Sequence, residues 1–181
     1  PHTLVSSWFS RLCCTRRQLN SRGVEVPAGI GKLRALHTLG VVNVSGVGGK
    51  AIVMELKTLS QLRRLGLCGI NRENLKELCS AISGHSHLEY LSVEVDKDKE
   101  EGLFCCFDGT ISPPPKKLKS LKLYGYAHIL PDNWMKQLDS LERLDLEMTI
   151  FKQQDIDVLD ELPRGKALRR LCVKPIQEGE L

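Results

Sequence analysis

The residues best equipped for chemistry fall in three short stretches, and each stretch lacks a part that its chemistry requires. Gly46-Val47-Gly48-Gly49-Lys50-Ala51 carries the glycine-lysine pair of a phosphate loop, but Val44 stands where the first glycine belongs and Ala51 where a hydroxyl must hold magnesium. It reads as a turn. Gly84-His85-Ser86-His87-Leu88 sets a serine between two histidines, yet it lacks the second glycine of a nucleophile elbow and leads into a strand-like segment instead of out of one. Its histidines are expected to be solvated, as histidines at turns usually are. Asp96, Asp98 and Glu100 imitate the opening carboxylates of a calcium loop, but Glu101 occupies the glycine position and Phe107 the position of the closing glutamate. A solvated charge run is expected there. No nucleophile, base and oxyanion donor come together, so the chain is expected to be non-catalytic, without cofactor or metal.

The seven cysteines, at positions 13, 14, 68, 79, 105, 106 and 172, are odd in number, include two adjacent pairs and form no C-x-x-C. Neither a disulfide framework nor a zinc site follows, and reduced thiols of a cytoplasmic protein fit best. Asn43-Val44-Ser45 is a lone glycosylation sequon, informative only in a secreted chain.

What must position any functional residue is a repeat. Six triplets of the form Leu-x-x-Leu-x-[Leu/Val] start at Leu36, Leu62, Leu88, Leu118, Leu141 and Leu168, spaced 26, 26, 30, 23 and 27 residues apart. A recurring L-x-x-L-x-L at roughly 20–29 residues is the signature of the leucine-rich repeat, whose turns bury their apolar faces only by stacking on one another. The second and third anchors lie two apart and so share one side of a strand. The expected fold is therefore α/β: a leucine-rich repeat solenoid of about six irregular repeats, with parallel strands on the concave face and short helices and loops on the convex side.

Among the connecting segments, Asn71–Asn74 followed by Leu75, Leu78, Cys79, Ile82 and Gly84 predicts a helix with an N-cap, an apolar stripe bearing Cys79 and a glycine stop. Shorter helices are expected at Ala51–Leu56 and Asp155–Glu161, and an extended path at Pro113-Pro114-Pro115. The longest turn, around Asp96–Lys117, is expected to protrude. Residues 1–25 carry no triplet and are expected to be a degenerate repeat or cap; residues 26–181 form the repeat domain, read as a fragment of a larger protein. With 181 residues, 41% of them hydrophobic, the chain can bury a continuous core. Its net charge of +4 is too small to mark a nucleic-acid surface, and no apolar run approaches a membrane span.

Val26-Pro27-Ala28-Gly29-Ile30-Gly31-Lys32-Leu33-Arg34-Ala35-Leu36-His37-Thr38-Leu39, Leu130-Pro131-Asp132-Asn133-Trp134-Met135 leading to Leu138, Leu141, Leu144 and Leu146, and Leu171-Cys172-Val173-Lys174-Pro175 resemble the leucine-rich repeat region of plant nucleotide-binding, leucine-rich repeat disease resistance proteins, closest to the coiled-coil class of cereals. The resemblance covers about residues 24–181. It implies an intracellular recognition and autoinhibition module, whose partners would be a pathogen effector or host protein and the nucleotide-binding domain of the same receptor. That domain and its phosphate loop lie outside this chain, so nucleotide binding is not implied. The alternatives are a substrate-recruiting module of a ubiquitin ligase and a receptor ectodomain. The asparagine expected after each strand is replaced by Val44, Ile70, Asp96, Tyr126, Thr149 and Ile176, which predicts irregular curvature.

The strand register gives three exposed columns. The first holds Thr38, Arg64, Tyr90, Ser120, Arg143 and Arg170; the second Gly40, Gly66, Ser92, Lys122, Asp145 and Cys172; the third Val42, Cys68, Glu94, Tyr124, Glu147 and Lys174. Tyrosine and arginine bring large contact area and directional donors. The candidate protein-binding residues are therefore Arg64, Tyr90, Glu94, Lys122, Tyr124, Arg143, Asp145, Glu147 and Arg170.

Overall fold

Each triplet lies on or leads into one strand of a single parallel sheet. The computed structural model describes residues 23–96, 113–124, 132–148, 152–162 and 169–175. Its strands are β1 (Thr38–Asn43), β2 (Arg64–Ile70), β3 (Tyr90–Val95), β4 (Ser120–Tyr124), β5 (Arg143–Met148) and β6 (Arg170–Pro175), hydrogen-bonded in sequence order. Most links run through helices: α1 (Gly49–Leu56) between β1 and β2, α2 (Leu75–Ser83) between β2 and β3, the short α3 (Asp132–Met135) before β5, and α4 (Gln153–Asp160) before β6. Pro113–Pro115 adopt neither helix nor strand, as their fixed φ and missing N–H groups require. Residues 97–112, which make up most of the turn expected around Asp96–Lys117, and residues 1–22 lie outside the described residues.

The inward anchors form two ladders. Leu65, Leu91, Leu121 and Leu144 stand in register, as do Leu67, Val93, Leu123 and Leu146, and all are buried in one core with residues of α1, α2 and α3. Leucines 62, 88, 118 and 141 are buried behind them. Burying a leucine contributes on the order of 2 kcal/mol, so each repeat is stable chiefly through its neighbours. At the last strand that cover thins: Leu171 is 44% and Val173 39% exposed, although both sit in anchor positions.

A backbone pattern repeats with the anchors. The N–H of Leu36, Leu62, Leu88, Leu118 and Leu141 donates to the carbonyl three residues earlier, on Leu33, Leu59, His85, Pro115 and Leu138. His85 thus fills a position that leucine fills in three other repeats. It is 1% exposed, which corrects the expectation of a solvated histidine. Its Nδ1 lies 2.6 Å from the Ala81 carbonyl at the end of α2. Burial pushes the imidazole pKa below its ordinary value near 6.5, outweighing the pull of the Ala81 and Leu56 carbonyls. With the folded pKa lowered, the stability held by neutral His85 is complete above about pH 6.5 and is lost as pH falls from there through the folded value. Thermal melts from about pH 7 down to about pH 5, above the carboxylate range, should show a falling midpoint in the wild type and a flatter profile in His85→Leu. An unchanged slope in the variant would refute this origin.

Two glycine-linked irregularities shift the sequence register. In β1 the pairing slips between Leu39 and Val41, so Val42, 2% exposed, enters the core and Val41, 39% exposed, faces out. The third anchor of the first triplet is therefore Val42 instead of Val41. In β2 the register slips between Leu67 and Ile70, where Gly69 takes φ +75°, a conformation that strains any side chain; a Cβ there would also lie 2.6 Å from that of Ser45.

The slip places Asn71, not Ile70, at the asparagine position of that turn. Asn71 Oδ1 accepts the Glu73 N–H at 2.9 Å, and the Asn71 N–H donates to Asn74 Oδ1 at 2.9 Å. Asn74 Nδ2 reaches back to the Val44 carbonyl at 2.9 Å and the Gly69 carbonyl at 3.2 Å. The asparagine link missing from the sequence register is thus present in this turn, one residue late. Of the Asn71–Asn74 stretch expected to supply an N-cap, Asn74 stands at the cap position but makes no side-chain capping bond to α2, and Gly84 ends the helix in right-handed geometry. Cys79 is buried on the apolar stripe of α2, as expected.

Elsewhere among the described residues other polar clamps recur. The Glu55 carboxylate receives the N–H groups of Gly31 and Gly29 at 2.8–2.9 Å, and these donors, Gly31 foremost, hold its pKa below the usual carboxylate value. Lys136 joins α3 to α4 through Asp132, at 2.8 Å, and Glu161; its hydrogen bond with Asp132 chiefly raises its pKa.

Candidate functional site

Alternation along each strand sends every second side chain away from the helices, onto an open face of the sheet. The first expected column keeps its register, although Ser120 within it is buried: Thr38, Arg64, Tyr90, Ser120, Arg143 and Arg170 are successive cross-strand partners. The second contains Val41 in place of Gly40, because of the slip in β1, and continues as Gly66, Ser92, Lys122, Asp145 and Cys172. The third opens with Asn43 opposite Cys68, not with Val42; further along, Glu94 pairs with Tyr124 and Glu147 with Lys174.

All nine candidate residues therefore occupy these columns. Arg64, Tyr90, Glu94, Tyr124, Arg143, Glu147 and Arg170 are half-buried. The Arg64 guanidinium sits 4.3 Å from the centroid of the Tyr90 ring on the next strand, an arrangement that fixes both flat groups against each other. Arg143 and Arg170 stand side by side.

Lys122 and Asp145 depart from the expectation of exposed residues: they are 5% and 4% exposed. They are direct cross-strand partners, with Lys122 Nζ 3.8 Å from Asp145 Oδ2, and Arg170 Nε lies 3.5 Å from Asp145 Oδ1. This group organises the centre of the face and offers little surface to a partner. Alternation told which way these side chains point; it carries no information on how deeply neighbours cover them.

Cys68, expected to be exposed, is likewise buried, and its Sγ accepts the Gly23 N–H at 3.1 Å. Burial pushes this thiol up, leaving it protonated and unreactive near neutral pH. Among the described residues, no three His, Cys, Asp or Glu side chains gather where they could hold a metal ion. No described helix is long and apolar enough to cross a membrane.

A further column was missed because it precedes the strands. The carbonyl of His37 accepts N–H bonds from both Arg63 and Arg64; Arg63 does the same for Glu89 and Tyr90, Glu89 for Lys119 and Ser120, Lys119 for Glu142 and Arg143, and Glu142 for Arg169 and Arg170. These shared acceptors align His37, Arg63, Glu89, Lys119, Glu142 and Arg169 along one rim. Within it, Glu89 lies 3.8 Å from Arg63 and 3.2 Å from Lys119. The available signal was positional, since each of these residues immediately precedes a member of the first column.

A family model described as "Leucine-rich repeat region" matches residues 5–180. No curated protein matches the chain significantly.

Proposed function

The chain belongs to the leucine-rich repeat family, and from that premise we propose that it is the recognition and autoinhibition region of a plant intracellular immune receptor. The receptor class is the nucleotide-binding, leucine-rich repeat class, with the coiled-coil receptors of cereals as the nearest wording. Repeat arrays of this kind bind other proteins over their extended sheet face. The observation that carries the reading is the unbroken first column, which lines up Arg64, Tyr90, Arg143 and Arg170 on one accessible face. Side chains of these types dominate protein interfaces.

The Val-Pro and Leu-Pro openings ahead of the leucine ladders support the receptor class, and the reduced cysteines Cys68, Cys79 and Cys172 suit a cytoplasmic setting. The chain works by contact instead of catalysis, with proteins as its partners and neither nucleic acid nor membrane. One partner is the nucleotide-binding domain of the same receptor; another is a pathogen effector or a modified host protein. Co-expression with that nucleotide-binding domain tests the reading. The two should co-purify, and reversing charges on the face with Arg64→Glu, Arg143→Glu and Glu147→Lys should abolish retention while the circular dichroism stays unchanged. Failure of the wild-type repeats to retain the domain would count decisively against it.

A further inference from the structure

We propose that the rim where the strands begin docks an acidic, extended segment of a partner protein. This rests on the protein-interaction reading and adds the chemistry of what the face accepts. The rim consists of the aligned strand-start residues and the first column beside them. Between them these two columns carry the cations Arg63, Arg64, Lys119, Arg143, Arg169 and Arg170 against two carboxylates, Glu89 and Glu142. Arg63, Lys119 and Arg169 are exposed, the other three half-buried. Across the sheet the positive excess disappears. Toward the strand ends Glu94 and Glu147 stand in the third column, with Lys174 the strand partner of Glu147, and in the middle column Lys122 is paired with Asp145. The face therefore carries a gradient from a strongly basic rim to a far side with only a slight acidic excess. Such a gradient orients a partner as well as attracting it.

Dimensions favour a peptide. From β2 to β6 the rim spans four strand spacings of about 4.8 Å, roughly 19 Å, which an extended chain rising about 3.3 Å per residue covers with about six residues. Alternate carboxylates of such a segment would face the arginines while the intervening side chains point away. A nucleic-acid backbone fits less well. It would meet Glu94 and Glu147 beyond the rim, and one face of the Tyr90 ring is already covered by Arg64.

Fluorescence anisotropy with the full chain at low salt tests this, using a ten-residue peptide alternating Glu and Ser, its Lys/Ser counterpart and a ten-nucleotide single-stranded DNA. The Glu/Ser peptide should bind in preference to both others. Its affinity should fall at least about tenfold in the variant combining Arg63→Glu, Lys119→Glu and Arg169→Glu, and fall likewise in salt of about 0.5 M. Should that variant not fold, the corresponding glutamine substitutions remove the charge without adding repulsion, and a weaker loss is expected. Preference for the DNA, absence of Glu/Ser binding, or binding indifferent to these substitutions would overturn the proposal. If the nucleotide-binding domain is still retained in that case, the rim proposal fails and the protein-interaction reading stands.

Discussion

Gly49→Ala is expected to destabilise the protein by about 3 kcal/mol or more, while Gly48→Ala one residue earlier stays within about 0.5 kcal/mol of the wild type. A Cβ on Gly49 would lie 1.8 Å from the Val44 carbonyl oxygen and 2.5 Å from its carbon. Both are backbone atoms. They are fixed because the Val44 N–H bonds to the Cys68 carbonyl, its side chain is buried, and its carbonyl accepts Asn74 Nδ2. Relief would require moving α1 away from the end of β1, and α1 carries Ile52, Val53 and Leu56 into the core. Gly48 has open space at its Cβ position and right-handed geometry. In a chain of this size 3 kcal/mol lowers the melting midpoint by roughly 6–12 °C, so calorimetry on the two variants separates the cases. Equal midpoints would show that Gly49 is not held against Val44.

This explains the imitation phosphate loop. The Gly-Gly-Lys run is the start of α1, and its second glycine is needed for a close approach of backbone to backbone, not of backbone to phosphate. Sequence could exclude nucleotide chemistry because the hydroxyl and the first glycine are missing; it could not say why glycine is there, since Val44 comes near only after the repeat closes. The same division runs through the rest of the molecule. The ladders at Leu65, Leu91, Leu121 and Leu144 were legible because each follows its first anchor by the same three residues. The slips at Gly40 and Gly69 were not, because a bulge depends on how two strands pair, and one extra residue moves every later side chain to the opposite face.

His85 could have been found by extending the alignment three residues upstream of each triplet, where Leu59, Pro115 and Leu138 set an apolar precedent. Judging it by residue type alone gave the wrong environment. For the candidate site, the direction of each of the nine side chains followed from two-residue alternation, but its burial followed from contacts across strands roughly 25 residues apart in sequence. Arg63, Lys119 and Arg169 lay one residue outside the strand pattern, and only the shared acceptor carbonyls reveal that they form a rim.

Asp145→Ala should be the costliest change on the open face, about 3–5 kcal/mol, for a reason opposite to that at Gly49: the damage comes from the partner left behind. The side chains of Lys122 and Asp145 are each 6% exposed, so the ammonium has little water to replace the carboxylate 3.8 Å away. Arg170 also loses its contact with Asp145 but, with a side chain 34% exposed, can be hydrated. The penalty therefore falls mainly on Lys122. Replacing both members of the buried pair with apolar residues, Lys122→Met with Asp145→Leu, removes the buried charge and should recover most of the loss. The location of the effect is also specific. Asp145 sits in β5 between Lys122 of β4 and Cys172 of β6, and β6 is the strand whose anchors Leu171 and Val173 have the least cover. A solenoid loses stability through its repeat interfaces, so Asp145→Ala should speed amide exchange first in β5 and β6 while α1 and β2 keep their protection. Exchange rising uniformly along the chain, or a double variant no more stable than Asp145→Ala, would exclude the buried pair as the link between these repeats.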